Sequence, residues 1–177
     1  MRSAFIAIVI LLGIGCHDSN SVRKENGSPR IDSLPESLTS AKRKMFEYPY
    51  KYNDFKIDTF SSKKALIDFN SNKQANKYKS AIVWSYNKFG LEFGGYYGLA
   101  RWGDGPNTLH GVIIDFRDGK IYDLPDGSLD YGYQKDSRLL IVNPPDSLGF
   151  YDDCFYCKPE VWIWNESAKK FEKQVKY

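Results

Sequence analysis

Cysteine, histidine, glycine and a handful of carboxylates carry most of the chemical options in this chain. Cys154 and Cys157 frame the run Asp-Cys-Phe-Tyr-Cys-Lys. Such a pair exchanges disulfides when its first cysteine opens a helix, where the dipole stabilises the thiolate. It binds zinc when further ligands complete a set of four. Here Lys158-Pro159-Glu160 leads into a strand-like run, and the third cysteine, Cys16, lies far away in the sequence. A structural disulfide between Cys154 and Cys157 is therefore the expected state, with thiol-redox and metal roles as alternatives. No metal ligands and no cofactor are assigned.

His110 has the chemistry of a general base, with Asp104 or Asp115 available to orient it. No serine or cysteine nucleophile sits in a recognisable motif, because Asp126-Gly127-Ser128-Leu129-Asp130 lacks the G-x-S-x-G elbow. His110 is expected to be a packing residue, and no catalytic residue is assigned. Asp136 and Arg138 lie two apart, so in a strand they share a face. They are expected to bracket a sheet corner, with Arg138 paired to Asp136 or bonded to carbonyls nearby. The loop around Asp146, Phe150, Tyr151, Asp152, Asp153, Phe155 and Tyr156 mixes carboxylates with rings. Long loops of this kind often bind partners, so it is the expected binding loop, for a protein or for a sugar stacked on a ring.

The stretch Gly94-Gly95-Tyr96-Tyr97-Gly98-Leu99-Ala100-Arg101-Trp102-Gly103-Asp104-Gly105-Pro106 raises the question of a phosphate cradle. Such a cradle needs a strand, a glycine loop and then a helix N-terminus. Here Tyr96, Gly98, Ala100 and Trp102 alternate with Tyr97, Leu99 and Arg101, and a second alternating run, Leu109–Phe116, follows. The glycines are expected to serve a sheet.

Other elements must position these residues. The helix is expected after Ser71 or Asn72, with Ala75, Tyr78, Ile82, Tyr86 and Phe89 on one face and Gly90 as its stop. Runs 55–60 and 65–69 read as short strands. Asp118-Gly119 reads as a two-residue hairpin turn. Residues 137–142 suit a central strand, and 160–164 with 171–176 suit a terminal hairpin. The expected fold is α+β: mainly an antiparallel β-meander sheet, curled as a half-barrel or arranged as a propeller blade. One N-terminal amphipathic helix is packed on it.

The 177 residues carry 25 Lys and Arg against 22 Asp and Glu. That near-balance gives no electrostatic case for nucleic acid. Residues 1–15 pair Arg2 with an apolar run too short to span a bilayer, and read as a signal peptide. Gly13-Ile14-Gly15-Cys16 resembles a bacterial lipobox, which implies lipidation of Cys16 and membrane attachment through the lipid. Residues 16–45 then read as a flexible tether, too polar to bury a core, with His17 inside it. Residues 46–177 are expected as one β-rich domain.

Phe93, Gly95, Tyr97, Trp102, Gly103 and Gly105, followed by Asp136-Ser137-Arg138-Leu139-Leu140, resemble a family of exported bacterial proteins. Its pattern is N-F-A-G-H-Y, W-G-C-G-x-x-C and D-S-R-L-L. The similarity spans about residues 63–177. Tyr96 replaces the pattern's histidine, and Asp104 and Thr108 replace its cysteines. The resemblance implies an export-associated β-rich domain in which Tyr97, Trp102, Asp136 and Arg138 are structural, and it implies no activity. The reading is a lipid-anchored envelope protein that binds another envelope protein or a glycan, as an inhibitor or immunity-like module. A hydrolase or redox enzyme using His110 or the cysteine pair, and a structural envelope component, are the alternatives.

Replacing Cys16 by serine is expected to release the protein from membranes without unfolding it. Membrane fractionation in high salt tests this: a variant that stays as membrane-bound as the parent refutes the lipid anchor.

Overall fold

The computed structural model describes residues 42–174. The expected signal peptide, Cys16 and nearly all of the tether lie outside the described residues. Arg43–Met45, the end of the stretch read as tether, form strand β1.

The architecture follows from two strands that are apolar on both faces. β2 (Tyr97–Gly103) and β3 (Leu109–Asp115) pair antiparallel, with Gly98 opposite Ile114 and Ala100 opposite Val112. β4 (Ile121–Asp123) adds to β3. One face of this sheet places Ala100, Val112 and Ile114 in a core with Ile82, Tyr86 and Phe116. The other places Tyr97, Leu99 and Ile113 in a core with Leu140, Val142 and Trp164. A strand pair buried on both sides needs two covers. Each fully buried isoleucine there, such as Ile113 or Ile114, contributes about 1.5–3 kcal/mol.

The first cover is helical. Asn72 Oδ1 accepts from the Gln74 and Ala75 amides at 3.0 and 3.2 Å, which starts the turn. A 3-10 turn, Ala75–Tyr78, leads into α1, Lys79–Lys88, and Gly90 ends it at φ 74°. Ala75, Ile82 and Tyr86 are buried as the spacing predicts. Phe89 is instead half-exposed, since it lies past the last helical turn. The helix is not N-terminal to the domain, because β1 and a long irregular segment precede it.

The second cover is a four-stranded sheet, β5 (Tyr131–Tyr133), β6 (Leu139–Val142), β8 (Glu160–Asn165) and β9 (Lys170–Lys173), in that spatial order. β6 is interior and β9 is an edge, as expected. The protein is thus mostly antiparallel β with one helix, but the sheet is not one continuous meander, half-barrel or blade. The regular ladder is interrupted after β4 at Pro125, which has no N–H to give, and only a single bridge, Gly127 to Leu109, follows. β7 (Phe150–Asp152) leaves the main sheets altogether and pairs with β1.

Two further expectations are corrected. Residues 55–60 and 65–69 are not strands. They are straps that touch the sheets by single bridges, Lys56 to Ser137 and Asp68 to Lys120. Each strap makes isolated bonds, such as Phe60 N to Gly95 O at 2.7 Å and Ala65 N to Phe116 O at 2.9 Å. The β3–β4 turn is also longer than two residues. Asp115 N donates to Lys120 O and Gly119 N to Asp115 O, so the loop is 116–119. Gly119 has φ 79°, and a Cβ there would stand 1.8 Å from Leu66 O. The turn is built to receive the strap.

Gly98 is a different kind of glycine. A Cβ would meet Phe116 Cε1 at 2.9 Å and Tyr86 Cδ2 at 3.3 Å. The gap is therefore filled by the helix and by Phe116, and not by rings along its own strand. Gly98→Val is expected to lower stability by about 1–3 kcal/mol despite its better strand propensity. A thermal melt checks it, and an unchanged melting temperature would contradict the close packing.

Candidate functional site

The expected binding loop is largely engaged with its own chain. Asp146 Oδ1 accepts from the Leu148 and Phe150 amides, both at 2.9 Å, and its carboxylate pairs with Arg43. Those bonds, the Phe150 amide first, hold its carboxyl below the usual range. Asp153 pairs with Lys44 at 2.7 Å, and Asp152 lies 3.9 Å from Arg43. The Arg43 guanidinium sits over the Phe150 ring at 5.3 Å. Phe150 and Tyr151 are half-buried in β7. Cys154 and Cys157 are joined in a disulfide, which closes the loop. Phe155, 98% exposed, and Tyr156 still offer ring surface, beside an exposed Leu148. The basic run Lys42-Arg43-Lys44 is the partner that reading the loop in isolation could not supply.

A cleft of about 550 Å³ opens elsewhere, between the helical segment and the β2–β3–β4 sheet. Tyr78 stacks on Trp102 with centroids 4.3 Å apart and planes at 19°. Trp102 Nε1 is buried without a hydrogen-bond partner. The rim is acidic: Asp104, Asp123 and Asp126 line it with His110. Asp126 Oδ1 accepts from His110 Nδ1 at 2.6 Å. His110 Nε2 then faces Asp104 Oδ2 at 4.0 Å, and Tyr78 O–H reaches that same oxygen at 3.5 Å. Asp104 thus stands near His110 as expected. Asp115 does not, because odd and even positions of β3 face opposite sides. The partner is Asp126, which the sequence reading passed over. Its signal was the turn Asp126-Gly127, held beside Leu109 by a backbone bridge. No serine, threonine or cysteine lines the cleft among the described residues. Among those residues no group of three or more histidine, cysteine and acidic side chains could hold a metal.

Asp115, itself buried, belongs instead to a partly buried ionic cluster around Tyr97. The Tyr97 hydroxyl donates to Glu166 Oε2 at 2.6 Å. It also faces N–H donors from Trp164 at 3.0 Å, Lys169 at 3.1 Å and Arg117 at 3.2 Å. Arg117 grips Asp115 through Nε at 2.8 Å and Nη2 at 2.5 Å, and reaches Glu166 at 2.5 Å. Lys169 reaches Glu166 at 2.5 Å and Asp115 at 3.6 Å. Two carboxylates meet two cations, so the cluster is neutral. Burial above all, then Glu166, pushes the Tyr97 phenol well above its ordinary value and keeps it a neutral donor. Burial opposes ionisation of Glu166 as well, but donors from Lys169, Tyr97, Arg117 and Trp164 outweigh it and take the carboxyl to about 2. This is a clamp between sheets, not a reactive site.

Asp136 and Arg138 do not pair with each other. Asp136 lies 3.6 Å from Lys56, and Arg138 donates to Trp164 O at 3.4 Å, a carbonyl of strand β8 rather than of a neighbouring turn. The fully buried polar residue of the motif is Ser137, whose hydroxyl donates to Tyr52 O at 2.7 Å. Buried Asn143 also escaped notice. Its side chain accepts from the Ser128 and Leu129 amides at 2.8 and 3.0 Å and donates to Tyr156 O at 3.0 Å.

Comparison with family models, with characterised proteins and with solved structures finds no significant match to this chain.

The clamp makes a pH prediction. Glu166 titrates lower in the fold than its ordinary 4.5. A depressed carboxyl stabilises fully above its unfolded value, and that stability is lost as pH falls through 4.5 toward about 2. Glu166→Gln is expected to flatten the acid limb of a stability–pH curve by up to one proton across this window. Urea melts from pH 5 to pH 2 measure it. An unchanged limb would remove Glu166 from the clamp.

Proposed function

We propose that this chain is a non-enzymatic binding domain of the bacterial envelope, held to a membrane through lipidated Cys16. Its ligand site is the cleft beside Trp102, and its ligand is a glycan. The observation that carries this reading is the Tyr78–Trp102 stack edged by Asp104 and Asp126. A flat aromatic surface accepts the C–H face of a sugar ring, while carboxylates at its margin accept the sugar's hydroxyl hydrogens. The similarity to exported bacterial proteins and the lipobox supply the location. Phe155 and Tyr156 remain a second, smaller surface for a protein partner.

The Asp126–His110 contact favours one alternative, a hydrolase in which His110 activates water. Among the described residues no serine, threonine or cysteine lines the cleft, so in this alternative the water held by His110 attacks directly.

Titrating soluble fragments of envelope glycan into the protein, read by tryptophan fluorescence, tests both readings. Trp102→Ala is expected to weaken binding roughly two- to tenfold, the equivalent of a stack worth about 0.5–1.5 kcal/mol. The glycans should come back uncleaved. Cleavage that His110→Ala abolishes would establish the hydrolase. Failure of every glycan, with an envelope protein crosslinked at Phe155, would move the site to the loop.

A further inference from the structure

A second surface bears on how the domain sits. Residues 61–91 contain Lys63, Lys64, Lys73, Lys77, Lys79 and Lys88 against one carboxylate, Asp68, and no arginine. The chain as a whole carries only +3, so positive charge is concentrated on this segment. None of the six lysines makes an ion pair among the described residues, whereas Arg43, Lys44, Lys56, Arg101, Arg117, Lys120, Lys169, Lys170 and Lys173 all do.

Four of these lysines, Lys63, Lys64, Lys79 and Lys88, border one apolar surface, with Lys64 Nζ donating to Tyr86 O at 2.5 Å, while Lys77 borders the Trp102 cleft and Lys73 a hollow beside Trp162. Leu66 is 93% exposed and Trp84 55% exposed. Phe89 lies edge-on to Trp84 at 5.3 Å, and Lys88 Nζ sits 4.4 Å above the Trp84 ring. Two adjoining hollows share Lys79, Val83 and Asn87, and no carboxylate lines either. The exposure of Leu66 is built in, because the bonds from Ala65 N to Phe116 O and from Asp68 N to Gly119 O pin its backbone from both sides. The strap cannot turn that side chain inward without losing them.

We infer that this face lies on an anionic phospholipid surface, with Trp84 and Leu66 at headgroup depth. The inference rests on the lipid-anchored reading of the chain, which brings the domain within reach of a bilayer. Tryptophan and lysine together suit the interface, where a ring sits among headgroups and lysine stems lie along apolar surface with their charges outward. Unpaired lysines next to a bilayer are drawn to anionic lipid. The absence of arginine decides against an acidic protein, since fork-like recognition of fixed carboxylates favours guanidinium, while a mobile layer of headgroups accepts point charges. Among the described residues no helix is long and apolar enough to cross a membrane, so the contact is peripheral.

The full chain, purified from membranes in detergent, can be reconstituted into phosphatidylcholine vesicles with and without phosphatidylglycerol, carrying bromine on the acyl chains. Tryptophan fluorescence is expected to be quenched by bromolipid, more in the anionic vesicles. Trp84→Phe should lose most of that quenching, leaving Trp102, Trp162 and Trp164 unquenched. Lys63→Glu with Lys88→Glu should reduce it toward the level in neutral vesicles. Protein that stays on the vesicles with Trp84 unquenched keeps the anchor and overturns the face. Protein that fails to pellet with anionic vesicles at low salt overturns both. A Trp84 response to polyglutamate but not to lipid would assign the face to an acidic protein and overturn the inference as well.

Discussion

The Tyr97 hydroxyl is where the two main sheets are fixed to each other. It stands at the start of β2 and meets Glu166 and Lys169 from the β8–β9 turn, Trp164 from β8 and Arg117 from the β3–β4 turn. Buried charges in an interior are tolerable only when paired and fully bonded. Here that applies to Asp115, which Arg117 and Lys169 pair with from the partly exposed side where Glu166 also stands, while the rings of Trp164, Tyr122 and Phe93 surround Tyr97. An apolar contact of the same size would hold the sheets with less orientation. The clamp sets how the turns meet, and so where β2 and β3 lie beneath the helical cover.

That placement decides what each end of the β2–β3 hairpin can do. One face is closed by α1 near Gly98, where helix and strand come too close for any side chain. Farther along, beyond Ala100, the same face opens at Trp102 and His110. The sheet twists away from a 3-10 turn whose Tyr78 covers only part of the gap. The cleft exists because the helical segment stops packing tightly before β2 ends. Closeness at Gly98 and opening at Trp102 belong to one geometry.

Much of the sheet was legible in the sequence, because a period of two is a local signal that burial on both faces reinforces. The strand Leu109–Phe116 came from alternation, the interior position of Leu139–Val142 from a run apolar on both faces, and the terminal hairpin from two strand-like runs flanking a polar connection. What failed was non-local. The straps at 55–60 and 65–69 have strand-like composition, but their hydrogen bonds go singly to different elements. The acidic loop looked like a free surface because Arg43 and Lys44, its partners, lie a hundred residues earlier in a stretch that reads as polar spacer. His110 was visible, but Asp126 comes to it only through the fold around Gly127. Tyr97 and Trp102 were noticed as motif residues, and neither the ionic cluster nor the stacked ring could be read from their neighbours.

The ribbon of β1 and β7 has a mechanical meaning. Chain arriving from the N-terminal side enters the described fold at β1, a three-residue strand held by backbone pairing and by salt links to Asp146, Asp152 and Asp153. Tension from an attachment point would be borne there first, ahead of either core. Salt weakens the exposed ion pairs, and opening this ribbon pays out chain at about 3.3–3.6 Å per residue while both cores stay intact. Under the lipid-anchored reading proposed above, this ribbon would serve as a short, ionically fastened reserve of leash.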